Sequence, residues 1–194
     1  EGATMPASVT ATPFAILDVT TVQGNLTVPA ADWGGRDTVR DVDCAVRLRH
    51  TWDSDLVVDL KGPTGTTLNL WRNQGGSSDN FNVIIDDEAS TNMAGLVNDG
   101  SRRRPQGWPG EALCYFDGGE PAGTWSLIVT DQVGGDVGNV DAWSVTITAE
   151  RGRFDGCAPE ASKGGRGLGS SANNGGGNGD EGIAPPGQHG DKAR

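Results

Sequence analysis

Six acidic residues lie in the connections between apolar segments of the sequence, where side chains from different loops can meet. They are Asp53, Asp55, Asp79, Asp86, Asp87 and Glu88. Ca²⁺ takes roughly six to eight oxygen ligands, mostly from carboxylates and backbone carbonyls. If the loops converge, these acids define a calcium site at one end of the fold. The alternative is that they are solvated loop residues and turn caps, which Asp commonly provides.

A second group with chemical potential is His50, Asp53 and Ser54, which lie within one short segment. A serine protease uses these residue types, but it also needs a base that holds the nucleophile and an oxyanion hole beside it. No Gly-Thr-Ser nucleophile turn is present, and the other histidine, His189, lies in a Gly-rich region. We therefore expect His50 to be a structural residue at a strand end, and the chain to hold no protease active site of its own.

The three cysteines do not form a CxxC pair, so they do not indicate a structural zinc site. They are Cys44, Cys114 and Cys157. One disulfide and one free thiol would suit an oxidising compartment, and the sequence leaves the pairing open. Cys44 alternates with apolar residues, which is typical of an inert thiol in a core.

Period-two alternation supplies the elements that position these residues. Val42, Cys44, Val46, Leu48 and His50 share one face of a predicted strand. The same alternation recurs over residues 56–60, 68–70, 81–85, 125–130 and 143–148, with turn residues between the runs. Residues 72–80 and 89–111 are predicted to be loops. Short strands at this spacing predict an all-β, jelly-roll-like antiparallel β-sandwich.

Composition divides the chain into three parts: a lead-in over residues 1–12, the sandwich over 13–150 and a Gly-rich tail or linker over 151–194. Thirteen of the 31 glycines lie between residues 152 and 190. That part has too few apolar residues to offset the entropy cost of ordering, so we expect it to be disordered. No apolar run approaches the roughly 18 residues of a membrane helix.

Charge is concentrated in the predicted sandwich. The chain has a net charge of −11, and residues 1–150 hold 21 acidic and nine basic side chains. Such a domain is unsuited to nucleic acid, whose phosphates require Lys and Arg. The acidity is compatible with a divalent cation, or with nothing more than the solubility of a secreted protein.

The motifs that bracket these loops resemble the P-domain that accompanies proprotein convertases and bacterial subtilisin-like serine proteases. The resemblance begins with HTWDSDLVVDL at residues 50–60 and the GPTGT hairpin at 62–66. It continues through residues 75–81, 86–89 and 123–127, at Asp131, Asp136 and Gly138, and through 143–145, in the family's order and spacing. Ser54 stands where a Gly is usual, and Lys61-Gly62 replaces an apolar-Ser pair. The match covers about residues 13–149.

The resemblance implies a non-catalytic accessory domain. Its partner in cis would be a subtilisin-like catalytic domain. The accessory domain would either stabilise that catalytic domain or help it to recognise protein substrates. The parent protein would be a secreted or extracellular serine endopeptidase. Many bacterial P-domains bind Ca²⁺, which agrees with the acidic loop residues.

The tryptophans support a different hypothesis, a secreted adhesion or carbohydrate-binding jelly-roll module. Such modules stack sugars on exposed aromatic rings. Trp125 and Trp143 alternate with polar residues and are expected in the core. Trp71 falls opposite Leu68 and Leu70 and is expected to be exposed. A single exposed Trp would make a poor sugar platform.

Overall fold

The computed structural model describes residues 5–152, which form two β-sheets packed face to face. The strands are β1 Met5–Thr10, β2 Phe14–Ile16, β3 Thr21–Val28, β4 Thr38–His50, β5 Leu56–Lys61, β6 Thr67–Arg72, β7 Phe81–Ile85, β8 Asn98–Arg103, β9 Gly123–Asp131 and β10 Gly138–Glu150. Three short 3₁₀ helices span Ala30–Trp33, Asp53–Asp55 and Leu113–Phe116. This architecture confirms the predicted all-β sandwich.

One sheet has the strand order β1-β10-β4-β7-β8, with β2 also paired to β10, and the other has the order β3-β9-β5-β6. The long strands β4 and β10 pair antiparallel from His50↔Gly138 to Thr38↔Glu150. The inward residues of β4, from Val42 to His50, are buried, as their alternation predicts. Between the sheets lies one apolar core that includes the fully buried rings of Trp125 and Trp143.

The first strand corrects the predicted lead-in over residues 1–12. Residues 5–10 form β1 and pair antiparallel with β10 from Met5↔Ala149 to Thr10↔Ser144. The sequence of this segment shows little alternation of apolar and polar residues. The strand is evident only from its pairing with β10. The predicted tail over 151–194, with Cys157 and His189, lies outside the described residues from residue 153 onward.

The predicted loop over residues 89–111 contains a further strand. β8 pairs with β7 in parallel, whereas the other strand pairs of the described chain are antiparallel. Its sequence, NDGSRR, is polar because β8 lies at the edge of its sheet and is mostly exposed. A charged edge strand resists pairing with other chains, and it leaves no hydrophobic alternation to detect.

Trp71 is buried, so the expectation that it is exposed was wrong. A bulge between β5 and β6 shifts the register after Val58↔Trp71 and breaks the simple alternation. The side chain of buried Asn69 holds the bulge by donating to the backbone oxygens of Val58 and Trp71 at 3.2 and 3.3 Å. Trp71 then packs against Phe81 with ring centroids 5.2 Å apart.

Cysteine chemistry agrees with the expected division into one free thiol and one disulfide. Cys44 is free and fully buried on β4, and burial raises the pKa of its thiol, with Asp43 adding to the effect. Cys114 is disulfide-bonded. A buried thiol with a raised pKa is a poor nucleophile and a poor metal ligand, so Cys44 acts as a small core residue.

We predict that a chain beginning at Ala11 has a lower free energy of unfolding than the full chain. Removing β1 exposes one edge of β10 and removes the packing of Val9 against the core. Hydrogen exchange should accelerate in residues 144–149, while residues 56–61 of the other sheet remain protected as the internal control. Unchanged melting and unchanged exchange in β10 would contradict the assignment of β1.

Candidate functional site

Four loops meet at one end of the sandwich. They connect β2 to β3 (17–20), β4 to β5 (51–55), β6 to β7 (73–80) and β9 to β10 (132–137). Strand pairing brings them together, since His50 lies opposite Gly138 and Leu56 lies opposite Asp131. We call this surface the loop end.

Loop 132–137 is fastened to its neighbours on both sides. The backbone N–H of Gln132 donates to the carbonyl of Asp55 at 2.9 Å. The backbone N–H of Gly135 donates to Oδ1 of Asp18 at 3.1 Å. These bonds fix three of the four loops relative to one another, so the loop end is a formed surface.

Loop 73–80 is fastened to loop 51–55 in the same manner. Asn73 donates its side-chain N–H to the carbonyl of Ser54 at 2.7 Å. Asp53 donates its backbone N–H to the carbonyl of Ser78 at 3.2 Å, and its Oδ1 accepts from the backbone N–H of Asn80 at 3.1 Å. Asp53 therefore ties the two loops together.

Three charged or titratable side chains lie buried beneath these loops: His50, Asp53 and Asp131, each at most 2% exposed. Burial raises the pKa of Asp53 to about 7, against the lowering effects of the Asn80 hydrogen bond and of His50. Its Oδ2 and that of Asp131 lack a hydrogen-bond partner within the described chain. A buried, ionised carboxylate oxygen without a partner lowers the stability of the fold unless a cation compensates its charge or a proton neutralises it.

Asp55 belongs to the same group. Burial raises its pKa, and the negative charges of Asp131 and Asp136 raise it further. Neither Asp131 nor Asp136 was among the predicted site residues. The signal for them was the acidic turn DQVGGDV between two strong strands, which shows its importance only once β9 is placed beside β5.

The structure does not bring the six predicted calcium ligands together. Asp53, Asp55 and Asp79 lie at the loop end, whereas Asp86, Asp87 and Glu88 follow β7 at its other end. A five-residue strand separates the two groups by roughly 15 Å. The physical reason is visible in the sequence, because Asp79 precedes this strand and Asp86 follows it.

Asp86 and Asp87 have structural partners that use both oxygens of each carboxylate. Asp86 accepts from the backbone N–H of Glu88 at 2.7 Å and from the guanidinium of Arg102 at 2.6 Å. Asp87 accepts from the backbone N–H groups of Leu113 and Cys114 at 3.0 and 2.7 Å. Asp87 thus caps the 3₁₀ helix Leu113–Phe116, which is the turn-cap alternative to a calcium ligand.

Acidic residues around Asp86 also affect β4. Burial raises the pKa of Asp41 to about 6, with further contributions from Glu88, Asp43 and Asp86. Arg102 offsets part of this charge, because its guanidinium lies 2.9 Å from Asp43 and 2.6 Å from Asp86.

Within residues 5–152, no three or more His, Cys, Asp or Glu side chains are arranged to hold a metal ion.

His50 is held by groups other than Ser54. Its Nδ1 lies 2.9 Å from the carbonyl oxygen of Trp52, and its Nε2 lies 3.4 Å from Oδ2 of Asp131. The ring is 2% exposed. Both nitrogens therefore face inward at the end of β4, a geometry suited to fixing loop 51–55.

An open cleft borders this histidine on the side of β4 and β10. Its lining residues are Arg49, His50, Thr51, Asp79, Asn80, Val137, Gly138 and Asn139. Arg49 is engaged in a bidentate ion pair with Asp141 at 2.7 and 2.8 Å. Val137 is the apolar side chain among the lining residues, and Asp79 adds an exposed carboxylate.

The tryptophans do not form a sugar platform within residues 5–152. Trp33, Trp71, Trp125 and Trp143 are buried. The guanidinium of Arg104 lies over the ring of Trp108, 5.0 Å from its centroid. Trp52, at 46% exposed, is the tryptophan that faces solvent at the loop end.

The fold is a β-sandwich module with four connected loops at one end. The model of the proprotein convertase P-domain family matches residues 39–147, from β4 into β10. This range is more than half of the chain, and the chain belongs to that family.

Known relatives match only in part. Leupeptin-inactivating enzyme 1 of Streptomyces exfoliatus is 31% identical over 102 residues, which are 53% of this chain and 17% of that protein. The serine protease of Aeromonas sobria, solved with its chaperone and alone, matches at 17% and 16% identity with TM-scores of 0.46 and 0.43. These matches cover 76% and 75% of this chain and 28% and 27% of the solved chains. The chain thus spans a minor part of the proteins it resembles.

Residues 5–152 contain no helix of sufficient length and apolar character to cross a bilayer.

We predict that Asp87→Ala destabilises the domain by about 1–3 kcal/mol, because the N–H groups of Leu113 and Cys114 lose their acceptor. Asp87→Asn keeps one acceptor oxygen and should lose less. Urea unfolding measures both, with the exposed Glu120→Gln as the charge-matched control. The loss should be the same with calcium and with chelator. Wild-type stability in Asp87→Ala would contradict the capping role.

Proposed function

We propose that this chain is the accessory P-domain of a secreted, subtilisin-like serine endopeptidase and does no chemistry itself. The observation that carries the proposal is the family match across residues 39–147. The short coverage of the curated relative also supports it, because an accessory domain is expected to be one part of a longer enzyme.

The position of His50, the residue that would act as the base in a serine protease site, supports a non-catalytic role. His50 is buried and directed at Trp52 and Asp131, and Asp53 joins two loops. A general base must reach the proton that it abstracts. At the loop end this histidine has a structural position instead.

In this role the domain either stabilises the catalytic domain in cis or helps it to recognise protein substrates. The two roles differ in what they change. Stabilisation acts on the folded state of the partner domain, whereas recognition acts on the binding of a large substrate. A carbohydrate-binding function finds less support, since a single exposed Trp52 offers one stacking surface.

We predict that the purified chain does not hydrolyse peptide or ester substrates. In the parent protein, deletion of residues 5–150 should lower the melting temperature of the catalytic domain if the role is stabilisation. It should lower kcat/KM for a protein substrate but not for a short peptide if the role is recognition. Turnover by the isolated chain that disappears in His50→Ala or Ser54→Ala would contradict the proposal, as would a parent gene without a subtilase domain.

We also propose that calcium binds at the loop end and draws Asp53, Asp55 and Asp79 together as ligands, because within residues 5–152 no three such side chains are already arranged to hold a metal ion. The unpartnered, buried Oδ2 of Asp53 supports this, because a cation would compensate a carboxylate that water cannot reach. Asp79 is exposed and adds negative charge within range of Asp53. Asp86 and Asp87 do not fit as ligands, since both oxygens of each already accept hydrogen bonds.

We predict that melting temperature rises by several degrees in calcium relative to chelator. A ligand that binds only the folded state at a hundredfold above its Kd adds about 2.7 kcal/mol. Asp53→Asn and Asp79→Asn should each reduce the difference, and Asp86→Asn is the control that should leave it unchanged. Equal melting curves in calcium and chelator would remove calcium from the proposal without affecting the P-domain assignment.

A further inference from the structure

Exposed apolar side chains are concentrated at the loop end. Among residues 5–152, seven large apolar side chains are exposed, and five of them lie in three adjacent loops. They are Leu17 (52%), Val19 (61%), Trp52 (46%), Val133 (53%) and Val137 (60%). Single exposed apolar residues are ordinary, but a group at one end of a domain marks an interaction surface.

The loops that carry these side chains touch one another. A Cβ placed on Gly134 would lie 3.3 Å from Cγ2 of Val19, so loops 17–20 and 132–137 are in close contact. The hydroxyl of Thr51 donates to Oδ1 of Asp136, which joins loop 51–55 to the same patch. Val137 also lines the cleft beside His50. The surface is therefore preformed, which reduces the entropy cost of binding a partner.

Within the four loops the charge has one sign, and Arg49, which lines the adjoining cleft, is held in its ion pair with Asp141. The four loops of the loop end contain five aspartates, Asp18, Asp53, Asp55, Asp79 and Asp136, and no Lys or Arg. A second copy of this chain would present like charge to this surface and be repelled. An anionic membrane would be repelled for the same reason. A surface with Lys or Arg around apolar side chains is complementary.

The ends of the domain lie far from this surface. β1 starts at Met5 opposite Ala149, and β10 ends at Glu150, so the chain enters and leaves at the end opposite the loops. The 13 residues of β10 separate the two ends by about 40 Å. Both boundaries of the described domain, Met5 and Glu150, therefore lie away from the loop end.

We propose that the loop end binds another protein in trans, through a segment that carries apolar side chains flanked by Lys or Arg. Trp52 and Val137 supply the apolar contact, and Asp18, Asp79 and Asp136 attract the basic flanks. The cleft receives one long basic side chain, whose apolar stem packs on Val137 and whose charged end lies near Asp79. This surface acts independently of the role in cis proposed above.

The test uses the full 194-residue chain in chelator, so that binding is scored independently of any metal. The probes are synthetic peptides of about twelve residues with matched apolar content and either Lys/Arg or Asp/Glu flanks. NMR titration should show shifts in residues 17–20, 51–55 and 132–137 with the basic peptides and not with the acidic ones. Binding should weaken as salt rises, since exposed charges are screened.

Variants separate the apolar from the electrostatic contribution. Trp52→Ser with Val137→Ser should weaken binding by about tenfold or more, because buried Trp contacts dominate interface energies. Leu96→Ser with Tyr115→Ser removes exposed apolar groups outside the loop end and is the matched control. Asp18→Asn and Asp136→Asn keep their acceptor oxygens and should reduce both the affinity and its salt dependence. Melting curves confirm that each variant folds.

Four outcomes would overturn the proposal. They are absence of binding by any basic peptide at millimolar concentration, equal binding of basic and acidic peptides, shifts confined to other residues, and full binding by Trp52→Ser with Val137→Ser. Ultracentrifugation and vesicles of neutral or anionic phospholipid test the other occupants. Self-association or vesicle binding that the same double variant abolishes would assign the loop end to a second copy or to a membrane instead.

Discussion

The pairing of β4 with β10 is the constraint on which the rest of the structure depends. These two strands, each 13 residues long, run antiparallel through the centre of one sheet and hydrogen-bond along their whole length. Their pairing places the loops after β4 and before β10 side by side. It also places the entry and exit of the domain at the opposite end. The four loops and the two boundaries of the described domain therefore lie at opposite ends of the sandwich.

The loop end combines burial with negative charge, which is energetically demanding. His50, Asp53 and Asp131 lie almost entirely out of contact with water, and burial raises the pKa of Asp53 to about 7. The same carboxylate joins two loops through Asn80. The domain thus keeps titratable side chains where an apolar core would be more stable, and that cost is typical of functional sites.

The other acidic group shows how the same residue type takes a structural role. Asp87 accepts two backbone hydrogen bonds from a 3₁₀ helix, and Asp86 is paired with Arg102. The loop-end acids and the acids after β7 both include several Asp residues near a strand end, yet their carboxylate oxygens have different partners. Partners within the fold, and not sequence composition, separate a cap from a candidate cation ligand.

The sequence by itself determined the all-β class, most strands, the buried face of β4 and the family, because alternation and turn residues are local properties of the chain. It did not reveal β1, β2, β3 or β8, the last because a polar edge strand has no alternation, and it missed the burial of Trp71, since a bulge shifts the register after Val58. It also placed six acids in one site, although β7 separates them. Which loops meet, and therefore where Asp131, Asp136 and the exposed Trp52 lie together, depends on pairings between residues far apart in the chain. Only the tertiary structure decides those contacts, because the residues next to a strand position in the sequence do not determine which residue pairs with it in the sheet.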